Sequence, residues 1–425
     1  MKKVGFITLG CKVNIYESNA LEQELVKRGY SIIEPSSACD VFVINTCTVT
    51  NTADQKSRQM VSKARRLNPN ACICLMGCYV QTKRDVRVDA DIILGNGNKL
   101  ELPNLLEEYF KTHEKYYEVI DIMRKKDFEK FEVTTYDHSR AFVKIQDGCN
   151  QFCAYCIIPY ARGPIRSKNC DSVIEELINI TNDGYEEVVL SGIHTGKYND
   201  NGTKLSDLIE RILNEVPKLK RLRLSSIEIN EIDDKLIELM RTNKVLANHL
   251  HLPLQCGCDK ILKLMNRPYN TTEFLAKVEK IRLVRPDIAI TTDVIVGFPY
   301  ETNDDFDDTV EFIKKVRFTG LHVFPYSRRE NTKAADMPQV NGLIKKARAK
   351  LLGELSLELQ HKYEQNYIGH TLDIIVEQLD SDGYLCGHSS NYIKVHFKGD
   401  SNLIKSNQKV KVTSIVDDIV YGELV

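Results

Sequence analysis

Three cysteines fall within eight residues in Cys149-Asn150-Gln151-Phe152-Cys153-Ala154-Tyr155-Cys156, close enough for their thiolates to grip one small object. Iron–sulfur clusters are normally held by four cysteine thiolates, and no fourth cysteine follows at a matching offset. The trio therefore predicts a [4Fe–4S] cluster with one iron left open for substrate or cofactor, by the logic that separates catalytic from structural zinc sites. A three-cysteine zinc site with a distant fourth ligand is the alternative. Unrelated buried thiols fit less well, because Cys-x-x-Cys runs usually bind metal or do redox work.

A second set of cysteines stands at the ends of apolar runs. VGFITLG (4–10), VFVINT (41–46), CICLMG (72–77) and DIILGN (91–96) predict buried parallel strands. IYESNALEQELVKRG (15–29), DQKSRQMVSKARRL (54–67) and ELPNLLEEYFK (101–111) predict helices on the faces of a small doubly wound sheet. Cys11, Cys47 and Cys78 follow the first, second and third strands. Open α/β sheets bind ligands in the crevice beyond the carboxyl ends of their strands. The three thiols are thus expected to converge although they are far apart in the chain. Cys72 and Cys74 share one face of their strand and read as core; Cys39, Cys170 and Cys386 also read as structural.

From 140 to about 335, AFVKIQ (141–146), EVVLSG (187–192), LKRLRLSS (219–226), NHLHLPL (248–254), AITTDVIVG (289–297) and GLHVFPY (320–326) alternate with helical stretches. Six βα units predict a partial TIM-like barrel. The cysteine loop follows the first strand, at the carboxyl-end face where such barrels keep their chemistry.

The stretch QDGCNQFCAYCIIPYARG (146–163) resembles the cluster loop of radical S-adenosylmethionine (SAM) enzymes. That resemblance implies that SAM is chelated by the open iron and that one electron from the cluster cleaves the sulfonium to a 5′-deoxyadenosyl radical. TLGCKVNIYES (8–18), VINTCTVTNTA (43–53) and LMGCYVQ (75–81) resemble the N-terminal domain of the methylthiotransferases, a branch of that superfamily. This implies a second [4Fe–4S] cluster on Cys11, Cys47 and Cys78, holding the sulfur to be transferred. The resemblance further implies that Tyr155 packs on the adenine of SAM and that Ser191 and Gly192 in LSGIHTG meet its methionyl amino group. Ser226 and Glu228 would hold its polar groups, and the backbone at Gly297 would approach the adenine; Tyr300 stands where relatives usually carry glycine. Cys256 and Cys258 read as replacements for small residues. Arg328 and Arg329, after the sixth strand, are candidates for substrate binding.

A chain of 425 residues suggests two or three domains. Its 58 Lys and Arg balance 59 Asp and Glu, so overall charge names no partner. Thirteen clustered cysteines are odd in number and do not suit a disulfide framework. With no secretory segment at MKKVGFITLG and no run near the roughly 20 apolar residues of a membrane helix, a cytoplasmic protein is expected. Residues 1–112 read as the methylthiotransferase N-terminal domain, 113–138 as a linker with at most one strand, 139–366 as the radical SAM core. The MRKKDFEKF segment within the linker reads as solvated, or as a contact for RNA. Residues 367–425 carry five short strand patterns and resemble TRAM, a small RNA-binding all-β barrel. That segment has five lysines against eight acids, so phosphate contact would require Lys394, Lys398, Lys405, Lys409 and Lys411 to share a face.

Together these features lead to an α/β enzyme that adds a methylthio group at an unactivated C–H bond. GCKVN looks most like the group acting at C2 of N6-threonylcarbamoyladenosine at position 37 of tRNA, with the anticodon stem–loop as partner. A threonylcarbamoyl carboxylate needs a cation, which Arg328 or Arg329 would supply. Sister groups act on N6-isopentenyladenosine or on a ribosomal-protein aspartate. A non-catalytic iron–sulfur RNA-binding protein is the alternative of a different class.

Overall fold

The computed structural model describes residues 1–83, 86–131, 133 and 139–425. The first sheet contains β1 (Lys3–Thr8), β2 (Ser31–Ile32), β3 (Val41–Thr46), β4 (Cys72–Gly77), β5 (Ile92–Leu94) and β6 (Tyr116–Glu118). Their order is β2-β1-β3-β4-β5-β6, and every pairing is parallel. β3 and β4 are buried along their whole length, which is why they read as unbroken apolar runs rather than as alternating ones. Helices α1 (Lys12–Lys27), α2 (Asn51–Leu67), α3 (Cys78–Thr82) and α4 (Leu102–Thr112) return the chain between strands. The Thr50 hydroxyl accepts the Ala53 N–H and caps α2.

The stretch expected to be a connection with at most one strand contains that strand. It supplies β6 to the first sheet, and MRKKDFEKF is not solvated throughout: Arg124, Lys126 and Lys130 are exposed, whereas its last residue turns inward. Phe131 is buried edge-on to Tyr16 at 6.4 Å, because an aromatic beside an apolar seam gains more from burial than from exposure. The end of that stretch, 134–138, lies outside the described residues.

The second unit follows the expected βα order. β7 (Ala141–Lys144) leads into a two-stranded arm of β8 (Gln146–Asp147) and β9 (Arg166–Ser167), with α5 (Ile158–Arg162) between them. Then come α6 (Cys170–Asn182), β10 (Glu187–Ser191), the small hairpin β11 (Asn199–Asp200) and β12 (Thr203–Lys204), α7 (Leu205–Glu215) and β13 (Arg221–Leu224). α8 (Asp234–Thr242), β14 (His249–His251), α9 (Asp259–Leu264), α10 (Thr271–Val284), β15 (Ala289–Val296), α11 (Asn303–Val316), β16 (Gly320–Pro325) and the long α12 (Gly342–Gln365) complete it. The strands β7, β10 and β13 are parallel, as are β14, β15 and β16. Parallel bridges Leu222–Leu246 and Ser226–His251 join the two halves into an open six-stranded barrel.

The last segment closes into a barrel of β17 (Thr371–Leu379), β18 (Leu385–Ser389), β19 (Lys394–Phe397), β20 (Asn407–Val416) and β21 (Ile419–Leu424). Buried Glu187 anchors it: the carboxylate holds Arg221 and Arg223, each at 2.9 Å, and these arginines donate to the carbonyls of Asp373 and Ser389. The five lysines of this barrel have separate surroundings. Lys409 and Lys411 lie opposite Asp373 and Glu423 in the strand register and Lys394 opposite His388, while Lys405 sits over Tyr185 of the preceding unit and Lys398 over Tyr384. Among the described residues, no helix is long and apolar enough to cross a membrane.

Candidate functional site

Cys11, Cys47 and Cys78 do meet at the carboxyl ends of β1, β3 and β4. Gly10 has φ +99°, and a Cβ there would lie 2.8 Å from Cys47 Cβ and 3.0 Å from its Sγ, so glycine lets the first two loops touch. Cys11 is at the exposed rim, Cys47 is half-buried and Cys78 is buried. Even at the rim the surrounding protein is dense enough for desolvation to raise the Cys11 thiol; Arg162 pulls it down and Cys78 raises it again. Desolvation, followed by Cys78, pushes Cys47 up to about 11. Each thiol therefore feels its neighbours. Cys78 Sγ also accepts two hydrogen bonds, from Asn96 Nδ2 at 3.4 Å and from Arg162 Nε at 3.3 Å.

The second trio lies in the loop between β8 and α5. Cys149 Sγ accepts the Gln151 N–H at 3.4 Å and faces His194 Nδ1 at 3.3 Å, while Arg267 donates to Cys153 Sγ at 3.2 Å. Desolvation, then Cys153, pushes Cys156 up to about 12. In both trios the neighbouring N–H groups aim at sulfur, as they do around the thiolate ligands of iron–sulfur clusters, and raised thiols must release protons as they bind iron. Tetrahedral zinc, with Zn–S near 2.3 Å, requires sulfurs only about 3.8 Å apart. Among the described residues no three His, Cys, Asp or Glu come together closely enough for a single metal ion. A cluster fits both trios better, since each thiolate then has its own iron.

Arg162 connects the two trios. It ends α5, a few residues after Cys156, and is fully buried. Its guanidinium donates to Cys78 and to Glu17 at 2.6 Å. Glu17 is also paired with Lys99 at 2.5 Å and Lys144 at 2.6 Å, and Lys144 with Asp147 at 2.6 Å. Burial would raise the Glu17 carboxyl, but Arg162, Lys144 and Lys99 outweigh it and hold the group well below the usual carboxylate range. These side chains come from α1, α4's entry turn, β7 and α5, so one dry ion network ties the first sheet to the barrel.

A cavity of about 200 Å³ lies between the loop that follows Cys47 and the loop that ends at Cys156. Val49 and Thr50, following Cys47, form one wall; Tyr155 and Cys156 form another; Gln255, Asp293 and Tyr326 complete it. Arg329 and Asn51 bridge the two units beside this mouth at 2.7 Å.

Similarity to known proteins agrees with this arrangement. Residues 143–313 match the Radical SAM superfamily model, and residues 3–95 match Uncharacterized protein family UPF0004. Threonylcarbamoyladenosine tRNA methylthiotransferase MtaB of Bacillus subtilis is 40% identical over 423 residues, covering 97% of this chain and 94% of the relative. Its namesake from Aquifex aeolicus is 37% identical, covering 93% and 97%. The chain belongs to the radical SAM methylthiotransferase family. Among solved structures, the radical SAM methyltransferase TsrM from Kitasatospora setae shares the fold, with TM-score 0.58 and 14% identity over 79% of this chain and 77% of that one. A tRNA-2-methylthio-N(6)-dimethylallyladenosine synthase of Thermoanaerobacter sp. strain X514 is 35% identical, covering 98% and 92%.

As a radical SAM enzyme this methylthiotransferase uses SAM and a [4Fe–4S] cluster, which supply the radical chemistry. Its candidate SAM residues separate on inspection. Tyr155 lines the mouth, with its hydroxyl 3.4 Å from Arg267. Glu228 is half-buried and paired with Arg267, an unforeseen hub that also reaches Tyr269 at 3.1 Å. Gly192 packs against Gln146, whose amide oxygen accepts the His194 N–H at 2.7 Å. Ser226 is exposed at the end of β13.

Two of these expectations need correction. Ser191 is buried and its hydroxyl donates to the Val143 carbonyl at 3.2 Å, so its proton is engaged in securing the strand rather than turned to the open face. Gly297 has φ +68°, its N–H donates to Glu301 at 2.6 Å, and the Lys345 stem covers it; it serves the turn. Tyr300 itself has φ +67°, which explains why glycine suits that position.

Arg329 also differs from expectation. It is buried, and its guanidinium is held by Thr48, Asn51 and Asp54 of the first unit, leaving it a strut between units. Arg328 beside it is exposed. Cys258 hydrogen-bonds Asp305 at 3.4 Å, and desolvation pushes Cys256 up to about 12, so this pair packs as neutral thiols. Sequence reasoning missed His194, Arg267 and Arg162. Arg162 lies within the cluster-loop motif and His194 within LSGIHTG, but Arg267 lies in no motif, and sequence does not show which polar residue turns back toward sulfur.

Proposed function

We propose that this methylthiotransferase adds a methylthio group to C2 of N6-threonylcarbamoyladenosine at position 37 of tRNA, working on the anticodon stem–loop. Residues 1–112, with β6, hold a second [4Fe–4S] cluster on Cys11, Cys47 and Cys78; residues 139–366 hold SAM and the radical cluster on Cys149, Cys153 and Cys156. Residues 367–425 form the TRAM barrel. Tyr155, Gly192, Ser226 and Glu228 are the SAM-side residues, and Arg328 meets the threonylcarbamoyl carboxylate. One observation supports this reading: the loop after Cys47 and the loop ending at Cys156 wall the same space, as a sulfur donor and a radical source acting on one carbon require. Substrate choice is supported by relatives named for threonylcarbamoyladenosine at 34–40% identity.

The dimethylallyladenosine reading is favoured by relatives of that name at 32–35% identity. Nucleoside mass spectrometry of tRNA from a deletion strain separates the two. Loss of the methylthio-threonylcarbamoyl nucleoside is expected; loss of the methylthio-isopentenyl nucleoside instead refutes the assignment.

A further inference from the structure

The solvent face of α2 carries cations and neutral residues and no exposed acid. Lys56, Arg58, Lys63 and Arg66 are exposed there, and the remaining exposed positions are Asn, Thr, Gln and Ser. Its single acid, Asp54, is buried and paired with Arg329 at 2.8 Å. By contrast α4 of the same unit exposes Glu107 and Glu108 beside Lys111, and α11 exposes Asp307, Asp308 and Glu311 beside Lys314 and Lys315. Exposed faces usually intersperse both signs, and a single-sign field marks a steering or binding surface.

Position adds the second half of the case. α2 begins at the mouth: Thr50 lines the cavity and the Asn51 N–H donates to Ser327 at 3.1 Å. Seventeen residues carry the helix about 25 Å away from that opening. Arg58 sits beside the sulfur site, 5.9 Å from the ring of Tyr79, the residue after Cys78. Farther along, Arg58, Arg65, Arg66 and Arg87 line a groove of about 630 Å³. The acid in that groove is Asp89, bound to Arg65 at 2.9 Å. The C-terminal barrel is less one-sided in sign, because Lys409 and Lys411 are registered against Asp373 and Glu423, and Lys394 against His388.

We propose that the basic face of α2 is a phosphate-tracking surface for the stem of the RNA whose loop enters the mouth. This rests on the tRNA reading above and assigns where the stem lies: along the first unit, not along the C-terminal barrel. Phosphate contacts fix register and orientation without reading bases, so the face positions the target adenosine for any stem sequence.

The test uses the full-length protein and a fluorescein-labelled anticodon stem–loop, with anisotropy measured over a salt series. Each phosphate contact contributes about 0.9 to the slope of log K against log salt on a duplex. Replacing all four cations (Lys56→Gln, Arg58→Gln, Lys63→Gln and Arg66→Gln) should therefore flatten the slope by about 3 to 4 and raise KM for tRNA. RNA-independent release of 5′-deoxyadenosine from SAM should stay at the parent level, which shows that the variant is folded and loaded. A parallel variant with Lys394, Lys398, Lys409 and Lys411 changed to Gln should alter the slope less. An unchanged slope in the α2 variant, or a larger loss in the barrel variant, overturns the proposal. Failure of the parent protein to bind the stem–loop at any salt overturns the tRNA reading beneath it instead.

Discussion

Replacing Glu17 with glutamine removes one charge from the centre of the protein and almost no volume. Glu17 is fully buried and pairs with Lys99, Lys144 and Arg162 at 2.5, 2.6 and 2.6 Å. Without its carboxylate, Lys144, Arg162 and Arg166 would share Asp147, and Lys99 would keep its hydrogen bond to Asn45. Breaking a buried pair while stranding its partner costs about 3–5 kcal/mol, and the other acid near Lys144 and Lys99, Glu129, has its own carboxyl raised by desolvation. With a urea m-value near 2 kcal/mol/M, a loss of 4 kcal/mol lowers the unfolding midpoint by about 2 M. Two cations come from the barrel and one from the first unit, so the earliest transition should be loss of the junction, seen as faster proteolysis between the units. Lys99→Met added to Glu17→Gln removes one stranded cation and should restore part of the loss, a coupling that single variants cannot show.

The pH dependence has a definite sign. A carboxyl depressed in the folded state contributes its full stability above the unfolded value, about 4.3, and loses it as pH falls toward the folded value. Wild type should thus destabilise steeply below that point, and Glu17→Gln should show a shallower acid limb. An unchanged urea midpoint together with an unchanged acid limb would refute the view that this network holds the units together.

Three further outcomes are expected. Changing Cys11, Cys47 and Cys78 together to alanine should halve the iron bound on anaerobic reconstitution and abolish methylthiolation, while 5′-deoxyadenosine is still released; full iron loading would disprove the second cluster. Arg328→Gln should raise KM for tRNA bearing the threonylcarbamoyl group by about tenfold, the equivalent of 1.4 kcal/mol, and leave SAM cleavage unaltered. Tyr300→Gly, at a half-exposed residue with φ +67°, should raise stability by up to about 1 kcal/mol by relieving left-handed strain, measured by thermal melting; destabilisation would show that the tyrosine side chain matters more than its backbone.

The sequence alone determined the six cysteines as two trios, the parallel sheets and the closing barrel. Each of these depends on short-range information: spacing within one loop, apolar runs of strand length, and the rule that loops after parallel strands gather at one edge. The positive φ of Tyr300 was not legible in its own residue type; only the likeness to relatives that carry glycine there pointed to the position.

Tertiary structure alone decided the partners. Ser191 and Arg329 look like free ligands in a linear motif, yet Ser191 turns inward to Val143 and Arg329 reaches across to Asp54, more than 270 positions away. The buried cluster of Glu17, Lys99, Lys144 and Arg162 gathers four separate elements into one ion network. A charged residue destined for burial looks the same in sequence as one destined for water; only packing removes the solvent, and only then does each charge require its counterion.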